Sequence, residues 1–168
     1  MKKTIRVAFL GDIAGNDSCA ETLRRVPAKE FFAPVSRDLD DCDLVIANLE
    51  GAFNDGGTLI PFGEKTHIVS DPSVVEALKV LSVSAVSTAN NHSFDFGVEG
   101  WKMLGQNLRE QGIASFGGGT SDEAARPWIH RSEAGAIGVI GLADPECGAC
   151  FASEDSSGVN KFDMQRTR

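Results

Sequence analysis

An α/β fold built on a largely parallel sheet is the architecture this sequence predicts. Short apolar runs rich in β-branched residues alternate with helical apolar stripes, the pattern of strand–helix–strand units. The main runs end in Gly, Asn or Asp, and polar residues gather just beyond those ends. In open α/β sheets ligands bind at the carboxyl ends of the strands.

Ile5-Arg6-Val7-Ala8-Phe9-Leu10 alternates and then runs apolar, which predicts a first strand ended by Gly11-Asp12. Residues 18 to 39 are mixed, and Pro27 and Pro34 interrupt any long helix there. Leu44-Val45-Ile46-Ala47 predicts a second, buried strand, ended by Asn48-Leu49-Glu50-Gly51. A glycine-rich loop, Asn54-Asp55-Gly56-Gly57, follows. Asp71-Pro72 supplies an N-cap and then proline at the first helical position. Val74, Val75, Leu78 and Leu81 mark the buried face of that helix.

A third strand is predicted over Val83-Ser84-Ala85-Val86-Ser87-Thr88. The turn after it, Ala89 to Gly97, is unusually polar. A helical stripe of Val98, Trp101, Leu104 and Leu108 closes at Gly112. Ile113-Ala114-Ser115-Phe116 predicts a short strand, and Gly117-Gly118-Gly119 a flexible loop. Ser121 is placed to cap a short helix ending before Pro127. Trp128 to Arg131 and Ala136 to Leu142 predict a hairpin around Glu133-Ala134-Gly135. The pattern fades beyond Asp144, leaving residues 144–168 as a poorly defined tail of one domain spanning 1–168.

With 168 residues, the chain is long enough for one domain with a substantial core. Its formal charge of −8 argues against a nucleic-acid-binding surface. The apolar run behind Met1-Lys2-Lys3 is shorter than a signal peptide requires. No run approaches the roughly 20 apolar residues of a membrane helix. The chain as given therefore reads as cytoplasmic, without a membrane segment of its own. An upstream anchor would change that to membrane-associated or exported. Cys147 and Cys150 have C-x-x-C spacing but lack a second ligand pair, so they read as incidental thiols, as do Cys19 and Cys42.

Polar residues recur at the ends of the first three predicted strands: Asp12, then Asn48 and Glu50, then Asn90, Asn91, His92 and Asp95. Parallel neighbours would bring Asp12, Glu50, Asn91 and His92 to one rim. Two carboxylates and a carboxamide suit divalent cations such as Mn²⁺, Fe²⁺, Zn²⁺ or Mg²⁺. Two such ions would clamp a phosphate ester and activate water, and an imidazole beside them would protonate the leaving group. Each residue also has a structural role open to it. Asp12 suits an N-cap and Glu50 a solvated loop carboxylate. Asn48 and Asn90 suit turn bracing, and His92 a structural imidazole. Asp95 suits either capping the helix near Gly97 or orienting His92. His67 and His130 read as structural or surface groups.

Gly11-Asp12, Asp43 to Glu50 and Ser87 to Gly97 resemble the motifs of the CapA (PgsA) family of capsule and poly-γ-glutamate synthesis proteins. Gly117-Gly118-Gly119 and Glu123-Ala124-Ala125-Arg126-Pro127 fit that family's next block. The resemblance runs over about residues 4 to 143, in the family's order. It implies the calcineurin-like metallophosphatase fold, a four-layer α/β/β/α sandwich with two metals at the strand ends. Asp12 and Glu50 would then be metal ligands, with Glu50 bridging, and Asn91 a ligand of the second metal. His92 would be the general acid or phosphate-contacting residue, with Asp95 beside it.

The chain departs from the superfamily's usual pattern at three places. Ile13 and Ala14 stand where Asp-x-His usually continues, and Ser93 follows the motif histidine in place of an acidic residue. His130 is the only histidine after Phe96, so the later histidine motifs are missing and the chain reads as a truncated N-terminal portion. The resemblance implies a phosphate ester or anionic polymer as substrate and polymer synthase subunits as partners. Two alternatives stand beside it. One is a non-catalytic assembly or binding subunit on a degenerate metallophosphatase fold. The other is a cyclic-nucleotide phosphodiesterase-like hydrolase, which Gly11-Asp12-Ile13-Ala14-Gly15 also resembles.

Overall fold

The structure, a computed structural model, describes residues 4–53 and 66–164. Strands β1 (Val7–Ala14), β2 (Leu44–Glu50), β3 (Ala85–Ser87) and β4 (Ala114–Phe116) form a four-stranded sheet in that spatial order. Every pairing in it is parallel, as the alternation of strands and helices requires.

Helices α1 (Asp17–Arg25), α2 (Ala28–Phe31) and α3 (Ala33–Leu39) connect β1 to β2. Helix α4 (Ser73–Val80) precedes β3, and α5 (Gly97–Glu110) precedes β4. Sequential order with right-handed crossovers places all of these helices on one face of the sheet. The main core shows this: Val74, Leu78, Leu104 and Leu108 pack with Val45 and Leu49. The Asp71 carboxylate accepts the Ser73 N–H at 2.9 Å, closing the first turn of α4 as an N-cap does. Gly112, at φ +75°, follows the end of α5.

Gly11-Asp12 does not end the first strand. β1 continues to Ala14, and its register against β2 shifts between Phe9 and Asp12. Phe9 pairs with Ile46 and Asp12 with Asn48, so β1 uses one residue more than β2 over that interval. This is a β-bulge, and a bulge re-aims the side chains beyond it. Before it, Ala8 and Leu10 pack on the helix side; after it, Ile13 does. Asp12 is thereby placed on the opposite face, level with Asn48.

That opposite face carries Ile46, Ala85 and Phe116, packed with Trp128 and Val139. The last two belong to the hairpin of β6 (Trp128–Ser132) and β7 (Gly135–Val139). The expected second strand of this hairpin, to Leu142, stops at Val139. The hairpin covers only part of the face. Phe9 remains 68% exposed and Ile140 54% exposed beside an open groove of about 410 Å³.

Gly117 to Gly119 is more than a flexible loop. Gly118–Gly119 forms β5, antiparallel to β8 (Gly158–Val159). The indole of Trp101 explains the glycines: a Cβ on Gly118 would lie 2.9 Å from Trp101 Nε1. The short helix that follows, α6 (Ser121–Ala125), is capped by Thr120 rather than Ser121. Thr120 and Glu123 form a reciprocal capping box. The stripe on α5 divides: Leu104 and Leu108 face the sheet, whereas Val98 and Trp101 pack with Phe94, Ala143 and Val159. The segment after Asp144 thus packs back on the domain as far as Val159, which is fully buried. Asn54 to Gly57 and residues 165–168 lie outside the described residues.

Candidate functional site at the strand ends

Three strand ends meet on the helix-free face. The bulge in β1 sets Asp12 beside Asn48, and Asn48 Nδ2 donates to Asp12 Oδ1 at 2.8 Å. Asn90, in the turn after β3, donates from Nδ2 to Asn48 Oδ1 at 3.1 Å and to the Leu49 carbonyl at 2.9 Å. Its Oδ1 accepts from the His92 N–H at 3.0 Å and the Ser93 hydroxyl at 3.1 Å. One buried carboxamide thus uses both ends to tie this turn to β2. Asn90 braces its turn through backbone bonds, as its residue type suggests, whereas the Asn48 side chain bonds only those of Asp12 and Asn90 among the described residues and so bridges neighbouring strands.

The same turn pairs His92 with Asp95. His92 Nδ1 lies 2.8 Å from Asp95 Oδ2, which also accepts the Ile68 N–H at 2.7 Å. The Asp95 side chain is fully buried and that of His92 is 13% exposed. Asp95 makes no capping bond to α5, whose N-cap is Phe96. Its geometry is that of a group holding an imbedded imidazole by one nitrogen, leaving Nε2 for the outside.

Glu50 is the electrostatic focus. Burial, and after it the Asp12 carboxylate, push its carboxyl above the usual range. His92 pulls the other way, and Asp95 adds a smaller push. Glu50 therefore shares one local field with Asp12, His92 and Asp95. Asn91 sits half-buried in the turn, next to His92 in sequence. Among the described residues, no three His, Cys, Asp or Glu side chains form a ready metal cage.

The backbone between Ile68 and Ser70 supports the site, and nothing in the sequence marks it. The Ser70 hydroxyl donates to the Glu50 carbonyl at 2.9 Å. Gly51 follows with φ +88°, and a Cβ there would meet Ile68 Cγ2 and Ser70 Oγ at 2.8 Å each. His67 Nε2 is buried without a hydrogen-bond partner among the described residues. His130 lies on β6 with its ring 6.1 Å from that of Trp128. Among the described residues no helix is long and apolar enough to cross a membrane.

The family model for bacterial capsule synthesis protein PGA_cap matches residues 6–167. The PGA biosynthesis protein CapA of Bacillus subtilis is 22% identical over 163 residues, covering 96% of this chain and 43% of that protein. The capsule biosynthesis protein CapA of Bacillus anthracis is 22% identical over 157 residues, covering 92% of this chain and 38% of that protein. Protein y4sH of Sinorhizobium fredii is 28% identical over 148 residues, covering 81% and 32% respectively. The chain spans less than half the length of each of these relatives.

Proposed function

Because the chain belongs to the bacterial capsule synthesis protein PGA_cap family, we propose that it carries a metal-dependent phosphoesterase site serving capsule-polymer synthesis. The observation that carries this reading is the coupling of Glu50 to Asp12 beside the His92–Asp95 pair. A carboxyl held above its usual range by burial and a neighbouring carboxylate is relieved by a cation.

In this reading Asp12, Glu50 and Asn91 would hold one or two divalent cations. Mn²⁺, Fe²⁺, Zn²⁺ and Mg²⁺ all suit an oxygen-rich donor set of this kind. The cations would polarise the phosphoryl oxygens of a phosphate ester. His92 would donate a proton from Nε2 to the leaving oxygen while Asp95 holds Nδ1. Asn90 and Asn48 keep the turn in register with Asp12. The open Phe9 and Ile140 face is the side on which the second sheet of a four-layer metallophosphatase sandwich would pack, because parallel sheets are ordinarily covered on both faces.

The test is metal analysis with a phosphodiester and phosphomonoester assay on the protein and its His92→Ala variant. Cation-dependent hydrolysis that falls about 10²–10⁴-fold in the variant supports the mechanism. Hydrolysis unchanged in the variant refutes it.

A second reading, a non-catalytic assembly subunit on the same fold, is favoured by the small ligand set and by His130 lying against Trp128 on the hairpin. It predicts capture of polymer synthase components with no hydrolysis of either ester class.

A further inference from the structure

Both tryptophans of this chain, Trp101 and Trp128, line one small cleft. The cleft holds about 310 Å³ and lies between α5, β4, α6 and β6. Each indole is backed by a phenylalanine: Trp101 by Phe94 at 5.5 Å and Trp128 by Phe116 at 6.3 Å. Both pairs are near-parallel, with interplanar angles of 11° and 12°. The indoles are thus held rigidly from behind.

The polar groups of the cleft are mostly donors without partners. Among the described residues neither indole N–H has a hydrogen-bond partner, and both tryptophans are half-buried. Among the described residues the Arg126 guanidinium makes no ion pair or hydrogen bond, and the residue is exposed. Arg126 is the cation of the cleft lining and lies in the field of the Glu123 carboxylate, in a chain of net charge −8. Glu123, three residues before Arg126, accepts at Oε2 from the Thr120 N–H at 2.9 Å and its hydroxyl at 3.0 Å. The capping box holds that carboxylate in place.

A ligand that matches this wall pattern has a ring to lie on indole, an anionic group for Arg126 and hydroxyl donors for Glu123. We propose that the cleft between Trp101 and Trp128 binds a small anionic sugar, one ring carrying a carboxylate or a phosphate. The part of the Trp128 indole that lines the cleft receives the ring's C–H surface, since aromatic faces carry partial negative charge, while Trp101, whose ring lies across Gly118 and Gly119, closes the cleft beside it. Arg126 pairs with the oxyanion in the manner favoured by its planar fork. The site is separate from the strand-end rim, and its evidence does not depend on metal at that rim. Volume sets the size: about 300 Å³ is the low end for small-molecule pockets, which suits a monosaccharide.

The chain has two tryptophans and no tyrosine, so its indole emission reports on this cleft alone. The experiment titrates the protein with glucuronate, glucose-6-phosphate and neutral glucose, up to about 10 mM. It repeats each titration with the Arg126→Gln variant, whose thermal unfolding should match that of the unaltered protein because Arg126 is exposed. The expected result is a saturable emission change with at least one anion and none with glucose. Arg126→Gln should weaken it by about tenfold or more, the usual loss for a charged hydrogen bond. The responding anion separates a carboxylate ligand from a phosphate ligand. The proposal is overturned by silence from both anions, by an equal response to glucose, or by an Arg126→Gln effect smaller than about tenfold.

Discussion

Asn90 donates from Nδ2 to Asn48 Oδ1 at 3.1 Å, and this bond joins the turn after β3 to the end of β2. Asn48 in turn donates to Asp12, two residues before the end of β1. Three strand ends are therefore linked by two side-chain hydrogen bonds in series, with the His92 N–H bound to the same carboxamide. The relationship matters because the β2–β3 ladder ends at Asn48 and Ser87, and beyond it the side-chain bonds hold the spacing.

Replacing Asn90 with Ala removes four hydrogen bonds from a residue only 8% exposed. Buried partners left unsatisfied cost about 1–3 kcal/mol each before any relaxation or water entry. Asn90→Ala should lower stability by about 2–4 kcal/mol in urea denaturation. A loss under about 1 kcal/mol would mean that the network is already solvated.

In the proposed site Asp95 positions His92, whose Nδ1 lies 2.8 Å from Asp95 Oδ2. Asp95→Asn keeps its shape but removes the carboxylate that holds Nδ1. Hydrolysis should fall about 10–100-fold, the usual effect of losing a histidine's outer partner. Cation uptake should be unchanged, because Asp95 is not among the proposed ligands. A parallel loss of cation uptake would place Asp95 in the metal site instead.

Gly51 connects Glu50 to the supporting segment. At φ +88°, with contacts of 2.8 Å waiting for a Cβ, it tolerates no side chain without backbone movement. Gly51→Ala should cost about 1–3 kcal/mol, read by thermal or urea unfolding. An unchanged midpoint would show that Ile68 and Ser70 move aside freely.

Asp71 gives a pH signature away from the site. Its carboxyl is held below the usual value of 3.8, first by the Ser73 backbone N–H, with Arg24 contributing less. A depressed carboxyl contributes stability that is present above 3.8 and is lost as pH falls through its folded value. Asp71→Ala should cost about 1 kcal/mol at neutral pH, as loss of an N-cap does. The gap from the unaltered protein should narrow in acid. A gap that stays constant to low pH would assign the effect to packing rather than charge.

Much of this architecture is readable in the sequence because it rests on local pattern. The β-branched run at Val83 to Thr88 and the stripe of Val74, Val75 and Leu78 need no distant partner to declare themselves. The polar residues at the rim stand out for the same reason, since Asn90, Asn91, His92 and Asp95 crowd one turn. The bulge in β1 is different in kind. It exists only as a register difference against β2, and Gly11 looks like a strand end without that comparison. The Ile68 N–H and the Ser70 hydroxyl are similarly silent, because one is backbone and the other an unremarkable serine. The β5–β8 pairing escapes notice because glycines carry no alternation to read, and their reason is the Trp101 indole lying across them.

The central claim is that Glu50 and Asp12 share a cation. The most direct measurement is calorimetric titration of chelator-treated protein with Mn²⁺, compared with Glu50→Gln. The account predicts saturable uptake by the unaltered protein and at least about tenfold weaker uptake by the variant, a difference of about 1.4 kcal/mol. Absence of uptake, or equal uptake by both proteins, would contradict it.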